Sequence, residues 1–110
     1  MEFGLSEEQV MLQQSVGRYL DDSGGLARTR ALAANGARRA PDLVAGLSGL
    51  GVMGLITPES QGGTGLSLLE AALVSEQVGG HISPTPFIGT AILAPMALLL
   101  AGSQAQQALW

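Results

Sequence analysis

Ser6-Glu7-Glu8-Gln9-Val10-Met11-Leu12-Gln13-Gln14-Ser15-Val16-Gly17-Arg18-Tyr19-Leu20 is the stretch on which the fold class turns. Ser6 stands three residues before Gln9, the spacing at which a hydroxyl caps a first-turn amide and the glutamine reaches back to the Ser6 amide. Beyond that start, Leu12, Val16, Tyr19 and Leu20 recur at helical spacing and define one buried stripe. Leu5 sits just before the cap, where an apolar residue staples the first turn. Asp21-Asp22-Ser23-Gly24-Gly25 ends the pattern, because paired glycines are costly in a helix and common in turns.

Working outward, residues 26–40 read either as a short helix broken at Asn35-Gly36 or as a solvated loop. Pro41 opens a clearer helix, since a missing amide donor costs nothing in the first turn. Val44, Leu47 and Leu50 are expected inside, and Gly51 ends it. Pro58 biases Thr57 out of the helical region, so the chain leaves the helix there, and Val52 to Thr57 is the main place where a short strand could hide. Gly62-Gly63-Thr64-Gly65 is a turn-rich loop before a periodic stretch from Leu66 to Val78, stopped by Gly79-Gly80. In that stretch Leu69, Leu73 and Gln77 share one side, with Ala72 and Glu76 beside them. A last apolar helix is predicted over Phe87 to Ala101, bent at Pro95. Ser103, with Gln106 in the box position, caps another that begins shortly before Trp110. Separated helical segments without a strand pattern predict an all-α bundle in one domain, residues 1–110, with a sequence cut short at its C-terminal end.

Composition narrows the function. The 110 residues carry 13% charged side chains, against a usual value of roughly 25%. All five arginines lie between Arg18 and Arg39, and from Gln77 to Trp110 no side chain is formally charged, His81 being neutral. Free surfaces normally keep their charge, so this third is expected to meet another protein surface; the alternative is a tightly packed hairpin rounded off by Gln104, Gln106 and Gln107. There is no cysteine and one histidine, which leaves no thiol nucleophile and no basis for a metal site. Met1-Glu2-Phe3-Gly4 lacks a leader pattern, and the apolar run Ala91 to Ala101 is too short to span a bilayer. A cytoplasmic protein is expected. A net charge of -4 without a basic stripe argues against nucleic acid.

Few residues offer chemistry. The glycine triplet has no lysine after it and shows no strand-turn-helix phosphate fingerprint, so a structural loop outweighs a phosphate cradle. Glu70 and Glu76 stand six apart, about 120 degrees around a helix, a poor acid/base pair. Glu59 reads as a cap or loop acceptor. His81 shows no orienting partner for general-base work, and Arg38-Arg39 reads as a solvated pair or an anion contact. Trp110 is an anchor or a flexible end. No catalytic residue is assigned.

The combination of Leu5-Ser6-Glu7-Glu8-Gln9, Gly51-Val52-Met53-Gly54-Leu55, Pro58-Glu59 with Gly62-Gly63-x-Gly65, Glu76-Gln77-Val78-Gly79 and Pro84-Thr85-Pro86-Phe87 resembles the N-terminal helical domain of an acyl-CoA dehydrogenase. The ending Ala101-Gly102-Ser103-Gln104-Ala105-Gln106 extends the likeness over nearly the whole chain; Ser60-Gln61 departs from it where an acidic-aromatic pair is usual. The resemblance implies an oligomeric, FAD-dependent parent in which a β-domain and a C-terminal helical domain follow, and where a carboxylate takes the alpha proton of an acyl-CoA while a beta hydride passes to flavin. The carboxylate and most flavin contacts belong to those other domains, so the chain alone is expected to be inactive and to hold FAD weakly. What the resemblance carries onto this sequence is an acyl-tail wall at Thr90, Leu93 and Ala94, with ordinary core contacts as the alternative for each. An acyl-CoA oxidase, a related flavin monooxygenase and a non-catalytic interaction module are the competing readings.

Overall fold

A computed structural model describes residues 3–110. Met1 and Glu2, the start of the segment read above as lacking a leader, lie outside the described residues. Six α-helices follow one another: α1 (Glu7–Asp22), α2 (Gly25–Ala34), α3 (Pro41–Gly49), α4 (Leu68–Gly80), α5 (Ala94–Ala101) and α6 (Gln104–Leu109). Single 3-10 turns occupy Val52–Gly54 and Glu59–Gln61, and a π-helical stretch, Ile88–Leu93, leads into α5. No strand occurs among the described residues, so the all-α reading holds.

α1 and α4 pack side by side and run parallel. Gln9 Nε2 donates to Glu70 Oε1 at 3.0 Å, a Cβ on Gly17 would stand 2.8 Å from Gln77 Oε1, and His81 Nε2 lies 3.0 Å from Asp21 Oδ1. Each pair is separated by the same 60 or 61 residues, a constant offset that only parallel helices produce. The core forms beneath them, from Val16 and Leu20 of α1, Leu47 of α3, Val52 and Leu55, Ala71 and Val74 of α4, and Phe87 and Ala91. Leu12 and Tyr19 flank it half-buried, as the stripe predicts. Close approach of α3 to α1 depends on Gly46: a Cβ there would stand 1.8 Å from the Tyr19 hydroxyl, which instead donates to the Asp42 carbonyl.

Residues 26–40 settle as helix through Ala34, ended where Gly36 adopts a positive φ of 70°. Arg28 ties this helix to the start of α3 through Asp42 at 2.6 Å. Their hydrogen bond raises the arginine pKa and lowers that of the carboxyl.

Three expectations are corrected. α3 buries Leu43 and Leu47, not Val44, and leaves Leu50 exposed beyond its last turn. α4 starts at Leu68 rather than Leu66 and runs through both glycines; it buries Ala71, Leu73 and Val74, while Leu69 is 51% exposed. Both helices carry apolar residues on two adjoining faces, and the partner helix, not the spacing, selects one. Val52 to Thr57 holds no strand; its carbonyls accept instead from the glycine loop.

That loop is closed on itself. The amides of Gly62, Gly63, Thr64 and Gly65 donate to Glu59, Pro58, Gly54 and Thr57 carbonyls, and Thr64 Oγ1 donates to Leu55 O. Gly63 is required by contact: its Cβ would lie 2.1 Å from the Thr57 carbonyl oxygen.

Candidate functional site

Pro95 sets the local geometry of the site. In a regular α-helix its ring would meet the Ala91 carbonyl. The wider π-helical stretch before it makes room, and the Ala94 amide donates to Gly89 five residues back. The apolar helix predicted from Phe87 therefore continues across Pro95 by changing its pitch. At its far end α6 folds back on α5, held by Gln107 Nε2, which donates to Leu98 O at 2.9 Å and Gly102 O at 3.3 Å. Ser103 and Gln106 form the expected capping box.

Between these elements lies an apolar groove of about 260 Å³. Thr90, Ala94, Pro95 and Leu98 form one wall, Thr57, Pro58 and Gln61 face them, and Gln107 and Trp110 of the C-terminal turn close the end. Two of the three sequence-assigned residues, Thr90 and Ala94, meet here. Leu93 does not line this groove and is 62% exposed. The opposing wall was missed, because nothing local in Thr57-Pro58-x-x-Gln61 signals contact with a helix more than thirty residues later.

The ionisable residues at the two ends of α4 have structural duties. Glu70 is the N3 residue of a capping box with Ser67, whose hydroxyl it accepts from, and it also takes the Gln9 amide. Those hydrogen bonds, Ser67 first, hold its carboxyl down at about 2. Ser67-Leu68-Leu69-Glu70 is an S-x-x-E capping box, the acidic counterpart of the S-x-x-Q box that starts α1, so this role was legible. His81 caps α4; Nδ1 faces the Gln77 carbonyl at 2.7 Å and Nε2 faces Asp21. Among the described residues no cluster of three His, Asp or Glu could hold a metal. Nor does the glycine loop fit a flavin pyrophosphate, because its amides are already spent on backbone carbonyls. No helix among the described residues is long and apolar enough to cross a membrane.

Comparison with known proteins agrees with this architecture. The family model for the acyl-CoA dehydrogenase N-terminal domain matches residues 6–110. The chain is 36% identical to the acyl-CoA dehydrogenase IpdE2 of Mycobacterium tuberculosis over 94% of its own length and 32% of that protein. It is 34% identical to IpdE2 of Mycolicibacterium smegmatis, over 89% of its length and 32% of the relative. The mitochondrial isovaleryl-CoA dehydrogenase of Pongo abelii is 35% identical over 68% of the chain and 18% of that protein. No solved structure matches with comparable significance. The chain belongs to the acyl-CoA dehydrogenase family and forms its N-terminal helical domain. It spans about a third of the length of the mycobacterial relatives it matches.

Proposed function

We propose that this domain supplies one wall of the acyl-chain site in a flavin-dependent enzyme that dehydrogenates an acyl-CoA thioester between its alpha and beta carbons. The observation that carries the reading is the apolar groove in which Thr90 and Ala94 face Pro58. Its lining excludes water from a hydrocarbon tail and favours each buried methylene by about 0.8 kcal/mol. The chain brings no carboxylate to this groove. The α-proton base, the flavin and the rest of the thioester site therefore belong to the β-domain and C-terminal helical domain that complete the parent.

Titration of the 110-residue chain with butanoyl-, hexanoyl- and octanoyl-CoA tests the wall. Affinity is expected to rise by up to about fourfold per added methylene, and Ala94→Phe, which fills the groove, is expected to flatten that series. Binding independent of chain length would sink the assignment. A separate check is the flavin absorbance of the purified chain and its turnover with an artificial electron acceptor. Neither is expected, and stoichiometric flavin with turnover would overturn the division of labour proposed here.

A further inference from the structure

Thr90 lines two depressions. One is the apolar groove; the other, of about 740 Å³, lies between the residues just before α3 and the segment leading into the π-helical stretch. Arg38 and Arg39 stand on one side of this second cleft and Ser83, Pro84 and Thr85 on the other. Its lining residues include two arginines and no aspartate or glutamate. Among the described residues the ion pairs are Arg28 with Asp42 and His81 with Asp21, so neither cleft arginine is neutralised by one.

The wall opposite the arginines is built with strain. Ile82 holds a φ of 49°, a left-handed conformation that is sterically costly for a β-branched residue. It is fixed there by a double reverse bond at the end of α4: Ser83 N to Val78 O and Ile82 N to Gly79 O, with Thr29 Oγ1 donating to Ile82 O. This turn sets Ser83 and Thr85 on the cleft, where Ser83 Oγ donates to Thr85 Oγ1 and leaves the threonine hydroxyl free to donate outward. Two prolines, Pro84 and Pro86, fix the backbone around Thr85. The cleft thus presents positive charge and a hydroxyl donor in a mostly rigid frame, the donor set that planar carboxylates require.

We propose that the Arg38–Arg39 cleft binds a carboxylate at the distal end of the acyl group, the hydrocarbon passing Thr90 from the groove of Ala94 and Leu98. The proposal rests on the acyl-chain reading above and narrows the substrate to acyl-CoA thioesters that end in an anionic group. Plain fatty acyl chains place a methyl group beside two exposed, hydrated arginines and gain nothing there. The distal carboxylate gains a charge-assisted hydrogen bond.

The test compares octanedioyl-CoA with octanoyl-CoA, which differ only at the distal carbon, by calorimetric titration of the 110-residue chain. The diacyl ligand is expected to bind about tenfold more tightly, and added sodium chloride should shrink the preference. Arg38→Gln with Arg39→Gln is expected to abolish the preference, so that the two ligands bind the double variant with equal affinity. Both arginines are exposed, so the double variant keeps its fold, as helical circular dichroism will show. Equal affinity for the two ligands, or a preference that survives the double substitution, overturns the proposal. If octanoyl-CoA affinity still grows with chain length in that case, the groove stands and only the anion site falls. If instead the preference is lost with the arginines but Ala94→Phe changes neither ligand, the groove assignment falls and the distal-carboxylate route past Thr90 falls with it.

Discussion

α1 and α5 invert the usual relation between composition and burial. α1 is rich in glutamate and glutamine, yet it places Val16 and Leu20 at the centre of the core. α5, Ala-Pro-Met-Ala-Leu-Leu-Leu-Ala, is apolar throughout and buries none of its residues; Leu100 is 80% exposed, and Trp110 beyond α6 is 86% exposed. The difference is one of partners. α1 meets α4 along its length, and one apolar stripe is enough; α5 meets α6 and the turn before it, and most of its surface is left open. Apolar content alone does not report burial; periodicity, set against a neighbouring helix, does.

Substitutions sharpen the contrast from its strongest side. Phe87→Ala, at a side chain fully buried in the core, is expected to cost about 3–5 kcal/mol, read as a fall in the urea midpoint. The same truncation on α5, Leu100→Ala, is expected to stay within about 0.5 kcal/mol. A comparable loss at both positions would break the comparison, because it would mean that α5 packs in solution in a way this fold does not show.

Gly63→Ala is expected to cost about 1–3 kcal/mol, since the added methyl meets the Thr57 backbone rather than a side chain that can swing away. Thermal denaturation is the measure. At the shared helix starts, Glu70→Gln is expected to lower stability by about 1 kcal/mol at neutral pH. With its carboxyl held near 2 rather than the ordinary 4.5, Glu70 contributes fully above about pH 4.5, and the contribution is lost as pH falls toward 2. Wild type and variant should therefore converge across that window; a gap that persisted at pH 2 would point to packing instead. One expected change is a gain: Ile82→Gly relieves the left-handed strain at a 60% exposed position and should raise stability by up to about 1 kcal/mol.

Legibility followed the range of each interaction. The starts of α1 and α6 were readable because a capping box is complete within four residues, and the start of α4 carried the same signature at Ser67 and Glu70. The inward face of α3 was misread at Val44 because the helix offers a second apolar row and the choice is made by a neighbour far along the chain. The groove was half legible for the same reason. Thr90 and Ala94 came from the likeness to a family, while Thr57, Pro58 and Gln61 join them only through a fold that brings two separate turns together.

The parallel pairing of α1 and α4 has a consequence for the order in which the molecule forms. An antiparallel hairpin of helices can zip as soon as its second arm exists, but these two partners lie some 60 residues apart. On a ribosome adding roughly 5–20 residues per second, α1 waits several seconds for the surface that buries Val16. A domain made only of helices is thereby given a non-local nucleus, and its refolding should be slower than that of a bundle built from sequence neighbours.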